Sequence, residues 1–280
     1  MRKGFTLLEL VFVIVIFGIM SKYGADILYK IYENYVYSNT FNRLQNQSEA
    51  AVKQIANRLQ YRIKDSTIAR DAWDSTNIEP IGSNTGDESV LEWIGADIDG
   101  WRGTTAASTA PDWSGFIDLQ ASTSTLLASQ GTATSVEDMA IFFIGSNVDL
   151  NSSAFGWDGT DIGTQVGVAM HPITITTADQ ITTTDGNFTN VDVYEYYQLA
   201  KSAYAVSLEG TDLYFYHDYQ PWSGAQLSVA GDRTQSLIME NVSSFKFTSM
   251  GDIMIIQVCV TDGNITGVGD YSVCKEKVVF

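Results

Sequence analysis

Apolar and polar positions alternate in two different ways along the 280-residue chain. Between Phe5 and Met20 the run is apolar, broken only by Thr6, Glu9 and Gly18. Past Met20 the apolar positions Ile27, Leu28, Ile31, Tyr32, Tyr35 and Val36 recur at spacings of three and four, and they resume as Phe41, Leu44, Ala51, Val52, Ile55, Leu59 and Ile63. That spacing keeps one helix face apolar, and no proline precedes Pro80. The pattern predicts one long helix over 5–65, with 5–28 as a membrane-spanning half, long enough only if the helix continues past Lys22 toward Leu28, and 29–65 as an amphipathic half. The stripe over 41–63 is expected to pack on a sheet. Gly18 and Gly24 are its weak points, each costing about 1 kcal/mol relative to alanine in a helix interior.

From about residue 71 the texture changes to short apolar runs among Gly, Ser, Thr, Asp and Asn. Strands are predicted at 90–94, 139–144, 203–208, 213–216, 245–248, 252–261 and 271–280. Residues 99–135 and 145–190 read as loops, with one further strand at 116–119. The run Glu209-Gly210-Thr211-Asp212 reads as the turn of a hairpin. No internal repeat of fixed period is found. The expected fold is α+β: a long N-terminal helix on an antiparallel β-sheet domain over 66–280.

Glu9 is the anomaly in the apolar run. A charge at the centre of a membrane helix costs roughly 2.5–3.5 kcal/mol. Near a helix end the side chain can instead snorkel to the interface. Either Glu9 snorkels and does nothing else, or it has a partner. No small-residue cleavage site follows Met20, where the chain continues Ser21-Lys22-Tyr23-Gly24-Ala25-Asp26. A secretory signal is therefore a poor reading. A signal anchor is better, with Arg2 and Lys3 on the cytoplasmic side and the rest outside.

The stretch Gly4-Phe5-Thr6-Leu7-Leu8-Glu9-Leu10, after a short basic flank and before a long apolar run, resembles the processing site of type IV prepilins and type II secretion pseudopilins. The resemblance implies a leader of residues 1–4, cut after Gly4 by a prepilin peptidase, and N-methylation of Phe5. It implies that Glu9 pairs with the N-terminal ammonium of a neighbouring subunit. Two groups costly in lipid would then become one neutral pair, favouring assembly. The implied partners are other minor pilins or pseudopilins, filament subunits, the prepilin peptidase, an inner-membrane assembly platform and membrane lipid. Related pilins often carry a proline that melts the helix in the filament, and this chain has none.

Charge is consistent with that placement. Residues 1–70 hold ten Lys and Arg against five Asp and Glu, whereas 71–245 hold three (Arg102, Lys201, Arg233) against 24. A domain this acidic argues against nucleic acid as a partner, since such affinity comes largely from basic side chains on phosphates.

Residues 237–247, Leu-Ile-Met-Glu-Asn-Val-Ser-Ser-Phe-Lys-Phe, resemble the segment leading into the final sheet of J-type minor pseudopilins and PilW-type minor pilins. K-type subunits usually lack the glutamate, so Glu9 argues against that slot. The two cysteines, Cys259 and Cys274, are either buried thiols or a disulfide. If 262–270 is the loop of an antiparallel hairpin, Cys259 faces Cys274, Ile255 faces Val278 and Gln257 faces Glu276. That register favours the bridge.

Signals for chemistry are few. His171 and His217 are far apart, and no nucleophile, metalloprotease or phosphate-loop motif is present. Asp97 and Asp99, and Asp158 and Asp161, are weak Ca²⁺ candidates in acidic loops that turn chemistry explains as well. No other metal or cofactor is implied. Trp73, Trp93, Trp101, Trp113, Trp157 and Trp222 can line a sugar or peptide site, but packing is the plainer reading. The sequence is thus expected to encode a non-enzymatic minor pilin or pseudopilin, a single-pass inner-membrane protein with an extracytoplasmic domain, placed at a filament tip. The alternatives are an ordinary filament subunit and a tip adhesin or ligand-binding subunit.

Overall fold

A computed structural model describes residues 6–70, 78–83, 88–103, 110–133, 136–150, 152–163, 165–184, 187–262 and 271–280. Helix α1 spans Leu7–Leu59. It is followed by β1 (Ile68–Arg70), β2 (Ile78–Pro80), β3 (Val90–Ala96), the short α2 (Ile98–Arg102), β4 (Asp118–Thr123), β5 (Leu126–Ala128), β6 (Val136–Phe143), β7 (Met170–Thr177) and β8 (Gln180–Thr183). Strands β9 (Tyr197–Glu209), β10 (Asp212–Tyr219), β11 (Thr234–Met239), β12 (Val242–Met250), β13 (Ile253–Thr261) and β14 (Ser272–Val279) complete the chain. This is the expected α+β arrangement of a long apolar helix and antiparallel sheets.

The larger sheet has 11 strands, ordered β2-β1-β3-β9-β6-β7-β8-β5-β4 with β10 and β11 branching from β9. Strand β9 causes the fork. One of its edges pairs with β3, while the other is shared between β6 at residues 197–200 and β10 at 203–209. The β9–β10 turn is Gly210-Thr211, with Gly210 at φ +63°, where a first turn residue without Cβ is favoured. Asn241, at φ +60°, serves the β11–β12 turn in the same way.

The smaller sheet is β12-β13-β14. Its β13–β14 register pairs Cys259 with Cys274, Ile255 with Val278 and Gln257 with Glu276, as the hairpin argument predicts. Alternation sends Met254, Ile256, Val258 and Val260 to the buried face. There they join Leu44, Ala51, Val52, Ile55, Ala56 and Leu59 of α1 in one core, with Phe245, Phe247 and Val273 from the neighbouring strands. The packing expected of the 41–63 stripe is therefore observed, except that Phe41 stays partly exposed.

Three expectations need correction. The helix stops at Leu59, short of the expected end near 65, because the next residues are drawn onto the edge of β3. Ala96 N–H donates to Tyr61 O and Ile63 N–H to Ile94 O, both at 2.9 Å. The strand expected at 116–119 begins only at Asp118, and Phe116 forms an isolated bridge with Tyr196. The supposed loops contain β5, β7 and β8. Strand β7 buries Ile173 and Ile175 in alternation, but it carries Pro172, and a proline argues against a central strand.

Candidate assembly site on the N-terminal helix

Residues 7–35 of α1 touch almost nothing. Leu7 is 82% exposed and Phe17 72%, and the apolar side chains between them are all exposed. The described part of the expected span, residues 7–28, is about 33 Å of helix, close to the ~30 Å of a bilayer's hydrocarbon core. The helix is long and apolar enough to cross a membrane. Tyr23, Tyr29, Tyr32 and Tyr35 follow the apolar run, where amphipathic rings suit a membrane–water interface.

Glu9 sits in the first turn and closes a capping box with Thr6. Thr6 donates to Glu9 Oε2 twice, from its N–H and from its hydroxyl, each at 2.9 Å, and Glu9 N–H donates to Thr6 Oγ1 at 3.4 Å. This adds a third reason for the carboxylate beside snorkelling and pairing. It accepts from the Thr6 N–H and holds the Thr6 hydroxyl that accepts from the Glu9 N–H, and it lies at the positive end of the helix dipole. Thr6-Leu7-Leu8-Glu9 has the spacing of a capping box, so the signal was legible in the sequence. Glu9 Oε1 makes no hydrogen bond to a described residue. Gly4 and Phe5, the residues of the expected cut, lie outside the described residues, as does the rest of the leader.

The helix meets the folded domain from about residue 37. The Tyr37 ring stands edge-on to Tyr271 at 4.9 Å, and Arg43 pairs with the buried Asp262 at 3.1 Å. The Cys259–Cys274 bond ties β13 to β14 with Cα atoms 4.0 Å apart. Both cysteines lie opposite the face that packs on α1.

The remaining candidates sit elsewhere. Asp97 caps α2 by accepting from Gly100 N–H at 3.2 Å, and burial pushes its carboxyl pKa up. Asp158 accepts from Thr160 N–H at 3.0 Å, and Asp161 bridges to Ser223 through the backbone. Among the described residues no three His, Cys, Asp or Glu side chains gather as a metal site would require. Trp93, Trp113, Trp157 and Trp222 are buried, Trp101 is half-exposed, and Trp73 lies outside the described residues. His171 is buried with Nδ1 2.8 Å from Gln165 Oε1, and burial pulls its pKa down to about 4.

One buried polar cluster escaped the sequence. The Arg70 guanidinium is 2.8 Å from Glu92 Oε2, and Tyr219 donates to Glu92 Oε1 at 2.8 Å. All three side chains are fully enclosed. Burial pushes the Glu92 pKa up, with Arg70 opposing the shift. The cluster ties β1, β3 and β10 together and has no access for a substrate. Its members lie 22 and 127 residues apart along the chain, so no local pattern announces it.

The family model for the prokaryotic N-terminal methylation motif matches residues 1–21. No curated protein and no solved structure is found to match the chain.

Proposed function

For a chain whose N-terminus is type IV prepilin-like, we propose the role of a minor pilin or pseudopilin, a structural subunit that initiates or caps a filament. One observation carries this reading: half of a 53-residue helix is apolar, unpacked and begins with a carboxylate. An isolated helix with that surface is stable only in lipid or against other such helices. In this reading prepilin peptidase removes residues 1–4, Phe5 is methylated, and 5–28 crosses the membrane. Arg2 and Lys3 orient the helix with the domain outside, a placement the disulfide favours. The resemblance of 237–247 to J-type and PilW-type subunits supports the initiating or capping role over an ordinary shaft position.

Glu9 Oε1 is then the atom left for the Phe5 ammonium of a neighbour. Glu9→Ala should be processed, inserted and folded, yet recover partner pilins at least tenfold less well, a change of about 1.4 kcal/mol. Co-purification of partners at equal membrane levels tests this. Equal recovery would reduce Glu9 to a helix cap, and the assembly role would fall.

A further inference from the structure

A second surface lies at the other end of α1, about 75 Å along the helix from Leu7. Two clefts meet there around α2 and share Ala96 and Ile98 in their walls. The first, of about 350 Å³, is aromatic. Its rim carries Trp101, Phe116, Ile144 and Tyr196, between 44% and 59% exposed, over a floor of Trp113 and Tyr197. The rings are held by their neighbours. Trp113 donates Nε1–H to Asp97 O at 3.2 Å, and its ring centroid is 4.7 Å from that of Trp101 and 5.7 Å from that of Tyr197. Phe116 stands edge-on to Tyr196 at 6.1 Å. Gly115, at φ +75°, lets Trp101 lie close, since a Cβ there would come within 3.1 Å of its ring.

The second cleft, of about 550 Å³, is polar. Arg58, Arg102 and Lys201 face it against Asp97, Asp99 and Asp218, three charges of each sign. Two of the three basic residues that 71–245 contains are thus spent here. Balanced charge offers no field for a phosphate or for a polycation. What remains is a rigid aromatic surface beside many planar hydrogen-bonding groups. The Asn57 amide here and the Gln198 amide of the aromatic cleft make no side-chain hydrogen bond to a described residue.

We propose that this double cleft binds a β-linked oligosaccharide. A pyranose with equatorial substituents presents flat C–H faces, which carry slight positive charge and suit the negative face of an aromatic ring. Its hydroxyls project from the rim as both donors and acceptors, which amides, carboxylates and guanidinium groups can satisfy together. Aromatic walls with a few convergent polar groups, in clefts of this size, are the general form of a small-ligand site. The inference does not depend on the filament role, and its failure leaves that role standing.

The test uses the full chain in detergent micelles, titrated with a β-1,4 N-acetylglucosamine trimer and, separately, a β-1,4 glucose trimer, following tryptophan fluorescence and calorimetry. Binding of either supports the proposal, and the two arms separate an amino-sugar polymer from a neutral glucan. Trp101→Ala and Tyr196→Ala should each weaken binding at least tenfold while the melting temperature is kept, and Asn57→Ala severalfold. Glu9→Ala should bind as wild type. Failure of both trimers to bind at about 10 mM, tenfold above a ~1 mM Kd, overturns the proposal. So does binding that survives both aromatic substitutions. Loss of self-association in Trp101→Ala without any saccharide binding would mark the cleft as a protein contact instead.

Discussion

The two halves of α1 are one continuous helix with opposite surroundings. Residues 7–35 expose their apolar side chains, while from Thr40 to Leu59 every third or fourth residue is buried, Ile55 and Leu59 completely. The backbone is the same, so helical structure alone explains neither half. The second half is held by what it covers, the apolar face of β13 and β14 with the nearby parts of β3 and β11. The first half has a largely apolar exposed surface and packs on nothing among the described residues, so its partner must be supplied by lipid or by other helices. The polar groups follow the same division. Near the N-terminus Glu9 serves the helix end itself. Within the domain, Arg70, Glu92 and Tyr219 serve one another.

The sharpest way to break this comparison is to truncate one apolar side chain in each half. Ile55→Ala removes a side chain with no exposure and should cost the domain about 2–5 kcal/mol. Ile14→Ala, on a surface 63% exposed, should leave the domain's urea midpoint unchanged within about 0.5 kcal/mol. Equal effects would mean that the two halves are energetically coupled.

The disulfide gives the next largest effect. Cys274→Ser opens a loop of sequence separation 15 and should cost roughly 3 kcal/mol in the chain-entropy model. Urea unfolding should show the loss in the domain, while membrane insertion through the N-terminal half of α1 stays intact. A midpoint unmoved by the substitution would show that packing on α1 already holds the β13–β14 pair.

The smallest effect is set by pH. Burial lowers the His171 pKa from 6.5 to about 4, so the fold holds the neutral ring. The unfolded chain then binds the extra proton between those values, and stability falls as pH drops through that window. From pH 7 to 4.5 the loss should be about 2 kcal/mol. His171→Gln should remove that slope while the carboxylates titrate as before. Urea midpoints at the two pH values for both proteins check this, and an unchanged slope would refute the assignment to His171.

How far the sequence reached depended on the range of the interactions involved. The anchor, the amphipathic stripe over 41–63, the 209–212 turn and the Cys259–Cys274 register were all legible, because each is written in residues within a few turns or one hairpin of each other. The Thr6–Glu9 capping box was equally local. Strands β5, β7 and β8 were not recognised, because short polar or proline-bearing strands in a large sheet are stabilised by neighbours rather than by their own pattern. The same limit applies to the candidate sites.

By itself, then, the chain determined which segments are helix or strand where periodicity is strong, where the membrane-compatible surface lies and which cysteines face each other. Only the tertiary structure decided that β9 shares one edge between two strands, that Arg70 finds Glu92 and Tyr219, and that Trp101, Phe116 and Tyr196 gather beside α2. The physical reason is that periodicity fixes how a segment presents its faces. Which segments then meet is selected by the burial of those faces against partners tens to hundreds of residues away, and that selection leaves no local mark in the sequence.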